Sequence, residues 1–352
     1  VEEMKKRLVS SEGYSHSKGL LEARIAISEY CSKKHIPNVT PDDIYTGNGV
    51  SELITLTMNG LLNNGDEMLV PAPDYPLWTA SVTLAGGNAV HYICDESSNW
   101  YPDIEDIRSK IMDKTKGIVV INPNNPTGAL YPKSLLEQIV EIAREYDLII
   151  FADEIYDRLV FDGKEHISIA SLAPDRPVIT FNGLSKSHLM AGYRIGWMSI
   201  SGDKSNIEDY IAGINLLSSM RLCSNVPGQS IIPMAIDMLD SSDEMIVPGG
   251  RVYEQREAIY EAICDIPGLS AVKPDAAFYI FPKMDVKKFN IIDDERFALD
   301  LLKEKQILIT HGGGFHWTNP DHFRIVYLPD VNMIEEAAVK MKDFFANYKQ
   351  KV

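Results

Sequence analysis

Lys186 follows Ser185 and the apolar run Val178–Phe181, and Arg194 stands eight residues further on in Ala191-Gly-Tyr-Arg-Ile-Gly-Trp197. A lysine just past a buried strand, with a hydroxyl before it and an arginine soon after, suggests a Schiff-base amine beside a phosphate. Two upstream segments make the same demand. Asn122-Pro-Asn-Asn-Pro-Thr-Gly128 follows Gly117–Ile121, and Asp153-Glu-Ile-Tyr156 follows Leu148–Ala152. If these runs are parallel strands, all three groups sit at carboxyl ends, where ligand crevices of α/β sheets form. Asp153 leaves an apolar strand as a carboxylate, so it needs a cation or hydrogen-bond donors. A protonated ring nitrogen about 4 Å away would supply roughly 4 kcal/mol of attraction before desolvation. The plainer alternative is that Asp153 caps a helix N-terminus. Tyr156, three residues on, shares its face in a helical turn.

Four further features are weaker taken singly. Gly47-Asn-Gly-Val-Ser-Glu-Leu53 is a glycine-rich turn opening a helix, and free N–H groups at Val50 and Ser51 suit a phosphate. Ser185 and Arg194 would complete that cup. Tyr75, in the rigid loop Pro71-Ala-Pro-Asp-Tyr-Pro76, offers a face for a planar cofactor, or is simply a buried tyrosine. Arg324, in His322-Phe-Arg-Ile-Val326, is a guanidinium suited to a carboxylate, or else a surface ion pair. His311-Gly-Gly-Gly-Phe-His316 reads as a flexible turn without neighbouring ligands, and no metal site is expected.

Positioning such a site requires a sheet and its crossovers. Short β-branched runs alternate with amphipathic segments, the pattern of βα units and a mainly parallel sheet. Strands are expected at Glu67–Pro71, Val90–Cys94, Gly117–Ile121, Leu148–Ala152, Val178–Phe181 and Ile195–Ile200, with helices at Gly49–Leu61 and Lys133–Tyr146. The texture changes near Pro248-Gly-Gly250. Helix Arg251–Cys264, strands at Gly268–Val272, Ala277–Pro282, Ile307–Ile309 and Phe323–Tyr327, and a closing helix Asn332–Tyr348 predict a smaller α+β domain. The expected division is residues 1–250, a large cofactor-binding α/β domain, and 251–352. The opening Val-Glu-Glu-Met-Lys-Lys-Arg reads as mid-helix, so a natural N-terminal part is expected to precede it.

Bulk properties bound the rest. The 352 residues suit two domains, with 34 basic and 50 acidic side chains giving a net charge of −16. That charge argues against nonspecific nucleic-acid binding. Cys31, Cys94, Cys223 and Cys264 show no paired spacing, which favours a reducing, cytoplasmic setting over a disulfide framework. No apolar run is long enough for a membrane helix.

Assembled, these motifs resemble the class I/II aminotransferases of fold type I, which use pyridoxal 5′-phosphate; the likeness runs from about Ser11 to the last helix. Gly-Asn-Gly-Val-Ser-Glu-Leu, Val-Pro-Ala-Pro-Asp-Tyr-Pro-Leu-Trp and Ser219-Met-Arg-Leu-Cys-Ser-Asn-Val-Pro227 look most like bacterial alanine (glutamate–pyruvate) aminotransferases. The resemblance implies Lys186 as the lysine that bonds the cofactor and shuttles a proton. It implies Asp153 at the pyridinium nitrogen, Asn125 and Tyr156 at the phenolic oxygen, and Tyr75 on the ring. Gly49, Val50, Ser51, Ser185 and Arg194 would surround the phosphate, while Arg324 and Asn125 meet the substrate. Tyr14 would reach the phosphate of a neighbouring subunit, implying a homodimer with shared sites. Gly183 stands where some branches carry a further phosphate-binding serine. The implied substrates are small amino acids and 2-oxo acids, with alanine and 2-oxoglutarate favoured. Arg221 either reaches a distal carboxylate across the dimer or is structural. Alternatives on the same cofactor residues are aromatic, aspartate or branched-chain specificity, or a β-lyase; a more distant one is a ligand-sensing regulatory domain.

Overall fold

The computed structural model describes residues 1–238 and 243–351. Its centre is an eight-stranded sheet: β1 (Ile44–Asn48), β2 (Glu67–Ala72), β3 (Asn88–Asp95), β4 (Tyr101–Pro102), β5 (Thr115–Ile121), β6 (Ile149–Asp153), β7 (Val178–Gly183) and β8 (Ile195–Ser201), in the spatial order β1-β8-β7-β6-β5-β2-β3-β4. β3, β2, β5, β6 and β7 run parallel, whereas β8 is antiparallel to both β7 and β1. The start of β8 therefore lies at the same edge as the ends of β1, β5, β6 and β7.

Both faces of the sheet are covered, which is why its central strands read as continuous apolar runs. Alternation within each run sorts side chains to opposite faces. Ile118, Val120, Ile150 and Ala152 join a core with Leu135, Leu136, Ile139 and Val140 of the helix Lys133–Glu145. Val119, Ile121, Phe151, Ile179 and Phe181 pack on the other face against Leu53 and Ile54 of the helix Val50–Leu61. The small C-terminal domain has its own core, where Ile259 and Ile263 of the helix Arg251–Cys264 meet Phe297, Phe323 and Phe345. Ile155, Tyr156, Leu159 and Phe161, just after β6, extend into that core and lock it onto the sheet.

The α/β architecture with a smaller α+β domain is as the sequence predicts, and the six expected strands form the sheet's interior. β1 was not expected: Ile44-Tyr-Thr-Gly-Asn48 is short, and its glycine lowers strand propensity. The strand expected at Ile307–Ile309 is irregular chain with Leu308 exposed. The paired residues are instead Thr310–His311, opposite Arg324 and Phe323. An apolar run marks that segment, but pairing begins only once the chain reaches the neighbouring strand.

Candidate active site

A cavity of about 260 Å³ opens at the edge where β1, β5, β6 and β7 end, roofed by the small domain. Ser51, Tyr75, Asn125, Asp153, Tyr156, Ser185, Lys186, Arg194 and Arg324 line it, joined by Val50, Tyr279 and the apolar Ile121, Ile155 and Ala191. Gly49 stands at its rim and Tyr14 lies outside it.

Asp153 ends β6 and is fully buried. Its Oδ2 accepts the Trp78 indole N–H at 3.1 Å, and Oδ1 accepts the Ile155 N–H at 3.4 Å. Burial raises its pKa to about 6 against the pull of Trp78, Ile155 and Lys186. The residues after it form a turn rather than a helix, so the helix-cap alternative does not hold. A buried carboxylate whose only nearby cation among the described residues is Lys186 fits a protonated heterocyclic nitrogen as its missing partner.

Lys186 lies on the short turn Leu184–Ser187 after β7. Its Nζ is 5.8 Å from the ring centre of Tyr156 and 5.6 Å from that of Phe278. Burial lowers its pKa; Asp153 opposes the shift, while Arg324 and Arg194 reinforce it. The neutral, nucleophilic amine is thereby made more accessible.

Two guanidiniums face the cavity without carboxylate partners among the described residues. Arg194 bonds only to carbonyls, Ala191 O at 3.0 Å and Asn48 O at 3.2 Å. Gly49 sits against it at φ 87°, and a Cβ there would meet Arg194 Nη2 at 2.3 Å. Only glycine satisfies both the left-handed backbone and the close approach. Gly49 caps the helix whose first residues are Val50 and Ser51, so free N–H groups and Arg194 converge on one spot. Arg324 donates to Asn125 Oδ1 at 3.0 Å and lies over the rings of Tyr279 and Phe315, each 4.6 Å away. Its Nε is buried without a hydrogen-bond partner. A half-buried guanidinium with an unsatisfied Nε and no carboxylate among the described residues is costly, so a carboxylate ligand fits here and the surface ion-pair alternative fails.

Some positions differ from expectation. Tyr14 is 84% exposed, far from lining this chain's own cavity. Arg221 pairs with Glu52 at 2.7 Å and donates to Thr46 O and Ser17 O, which makes it structural. A Cβ on Gly183 would meet Ile195 O at 2.5 Å, so the backbone pairing of β7 with β8 forbids the further serine. The His311–His316 loop does have neighbouring ligands: His316 Nδ1 is 2.8 Å from Asp74 Oδ1, and His91 stacks on it. Two residues were missed. Trp78 holds Asp153, and the Tyr279 hydroxyl is 2.7 Å from that of Tyr156. Tyr279 hides inside the apolar run Ala276–Phe281; Trp78, three residues after Tyr75, opens the following helix Leu77–Leu84 and carries an indole donor.

The sequence model of the family described as aminotransferase class I and II matches residues 3–341. The chain belongs to that family. Members depend on pyridoxal 5′-phosphate, and the chemistry of the cavity fits it: an amine, a buried acid and an anion cradle. Among relatives, this aminotransferase is 57% identical to the glutamate-pyruvate aminotransferase AlaA of Haemophilus influenzae, covering 98% of this chain and 85% of that one. It is 50% identical to an alanine aminotransferase of Mycobacterium tuberculosis, covering 97% and 80%. A crystal structure of an Escherichia coli aminotransferase superimposes with a TM-score of 0.98 at 55% identity, covering 99% of this chain and 87% of the other. An alanine aminotransferase from Pyrococcus furiosus gives 0.92 at 41% identity, covering 98% and 87%.

Proposed function

We propose that this aminotransferase exchanges amino groups between alanine and 2-oxoglutarate, giving pyruvate and glutamate in two half-reactions. The observation that carries the reaction type is the convergence of Lys186, Asp153, Arg194 and Arg324 on one small cavity. The names of relatives at 57% and 50% identity favour the substrate pair.

When bound, pyridoxal 5′-phosphate supplies an electron-accepting ring that stabilises the carbanion left by loss of a Cα proton. Arg324 grips the α-carboxylate through its free guanidinium edge, with Asn125 fixing its plane. Lys186 Nζ would hold the cofactor between turnovers and, when free, would take the Cα proton as the base. Asp153, its carboxylate held in place by Trp78, would pair with the ring nitrogen and keep it protonated. Tyr156, Asn125 and Tyr75 line the same cavity; the first two would hold the phenolic oxygen, and Tyr75 would cover the ring. Gly49, Val50, Ser51, Ser185 and Arg194 receive the phosphate. We assign residues 1–250 to the cofactor-binding unit and 251–352 to the smaller one, whose own core supports the division.

The working unit in this reading is a homodimer. Tyr14 projects from a surface that also exposes Met220 and Leu222, beside the contacts joining Ser17 to Ser219 and Arg221. Burial of these apolar groups by a second copy would place Tyr14 at the partner's phosphate. A cytoplasmic setting accords with the four unpaired cysteines. No helix among the described residues is long and apolar enough to cross a membrane.

Titrating the purified holoenzyme with alanine and then 2-oxoglutarate tests the chemistry. The cofactor's visible band should bleach and then return. Release of ammonia without any dependence on a keto acid would instead show a lyase. A panel of amino donors tests the substrate pair, and lack of activity with alanine removes it.

A further inference from the structure

Three chain segments meet beside the cavity and bring together residues that neither the fold nor the proposed transamination uses. Asp74 lies in the loop after β2, His91 on β3, and His316 after the turn Gly312–Phe315 of the small domain. His316 Nδ1 is 2.8 Å from Asp74 Oδ1, and His91 Nε2 is 3.9 Å from Asp74 Oδ2. One ligand atom from each residue lies within 4.8 Å of the other two. We propose that Asp74, His91 and His316 form a site for a divalent transition-metal ion of the zinc class.

Four-coordinate zinc holds nitrogen and oxygen ligands about 2.0–2.1 Å away, which sets those ligands about 3.3 Å from one another. The 2.8 and 3.9 Å separations bracket that spacing and no pair in the set is farther apart than 4.8 Å, so side-chain adjustments of about 1–2 Å assemble it. The imidazoles face each other with ring centres 4.7 Å apart and planes 22° apart. Two imidazoles and one carboxylate suit zinc, cobalt or nickel rather than magnesium or calcium, which prefer oxygen shells. A water molecule would take the fourth position.

The surroundings suit ligands rather than a surface accident. The Asp74 side chain is wholly buried, while those of His91 and His316 are 26% and 35% exposed, leaving an entry path on the imidazole side. Thr79 Oγ1 donates to Asp74 Oδ2 at 2.7 Å and lies 2.9 Å from His91 Nε2, an outer contact that orients the carboxylate. The Asp74 N–H is anchored on Phe315 O at 3.0 Å. The nearest cation, Lys110, binds His91 O at 2.6 Å but is paired with Asp106 at 2.7 Å. A bound ion would fasten the loop carrying Tyr75 to Phe315, the ring on which Arg324 rests.

The test uses cofactor-loaded enzyme stripped of metal by a chelator and titrated with Zn²⁺ against a chromophoric competitor. The expected result is one ion per chain, with Co²⁺ giving the intense visible bands of a four-coordinate site. His91→Gln and His316→Asn should each weaken binding at least about tenfold, Thr79→Val less, and His35→Gln not at all. Zn²⁺ should also raise the unfolding temperature of the wild type and leave those of the two histidine variants unchanged. Absence of stoichiometric binding overturns the proposal. So does Zn²⁺ held equally well by both histidine variants, because the ion then sits elsewhere, for instance on the cofactor phosphate. The Co²⁺ spectrum of the wild type decides the matter even if a variant folds poorly.

Discussion

Asp153 and Glu154 are adjacent, both fully buried, and turned toward different worlds. Asp153 faces the cavity, where Lys186, Arg194 and Arg324 stand without carboxylate partners among the described residues. Glu154 faces the opposite side, where Ser168 Oγ donates at 2.8 Å and Ile169 N–H at 3.1 Å. Behind it, Asp157 accepts from both Tyr30 and Lys34, and His166 lies between Lys34 and the carbonyl of Asn122. Burial pushes Asp157 up, but Lys34, His166 and Tyr30 outweigh it and hold it below its usual value. The rear network pairs its charges internally; the front leaves them waiting for ligands. One short run of acidic residues thus contains both the proposed cofactor contact and a structural brace, and only the partners separate them.

Substitutions on the two sides should break differently. Lys186→Ala is expected to reduce amino transfer by about 10⁴-fold or more with little change in unfolding temperature, measured by coupled assay and calorimetry. On the rear side, Lys34→Met leaves Asp157 as a buried, unpaired charge. It should cost about 3–5 kcal/mol in denaturant unfolding while the folded fraction keeps its turnover. Asp153→Asn should lower kcat roughly 10²–10³-fold and leave stability equal or improved, since a poorly neutralised buried acid is removed. If Asp153→Asn unfolds the protein and Lys34→Met abolishes turnover, the front and rear assignments are reversed. Gly49→Ala should cost about 1–3 kcal/mol through backbone strain and weaken cofactor retention, read by dialysis and absorbance.

The remaining effect concerns pH. Burial raises Glu154 from 4.5 to about 8 in the folded chain. The unfolded chain ionises it from about 4.5, so unfolding releases a proton between these values. Its contribution to stability is full below pH 4.5 and is lost as pH rises toward about 8. Glu154→Gln should flatten the fall in unfolding free energy between pH 6 and 8, compared by denaturant titration at matched ionic strength. A slope identical to that of the wild type would show that Glu154 is already ionised in the fold.

Much of this arrangement was legible in the sequence because strand ends are. The apolar runs before Asn122, Asp153 and Lys186 locate three sheet positions, and a parallel sheet brings their ends together without further information. Arg194 was harder: it begins its strand instead of ending one, and only the antiparallel direction of β8 returns it to the same edge. Tyr279 and Trp78 escaped because an indole or phenol within an apolar run looks like core until its polar atom finds a partner. The Asp74–His91–His316 cluster was invisible for a different reason. Its members are separated by 17 and 225 positions, from 74 to 91 and from 91 to 316, and no local pattern encodes that meeting.

Gly183, Gly196 and Gly47 stand opposite one another across β7, β8 and β1. A Cβ on Gly196 would meet Val50 N at 2.5 Å, and one on Gly183 would meet Gly196 Cα at 2.9 Å. The row acts as a bare channel through which neighbouring backbones are laid nearly in contact. Each rung is closed to a larger residue by a different neighbour: Gly183 by Ile195 O and Gly196 Cα, Gly196 by Val50 N, and Gly47 by the Leu53 side chain. The room for reshaping the cavity therefore lies on its far wall, around Tyr279 and Arg324, where side chains rather than main chain set the shape.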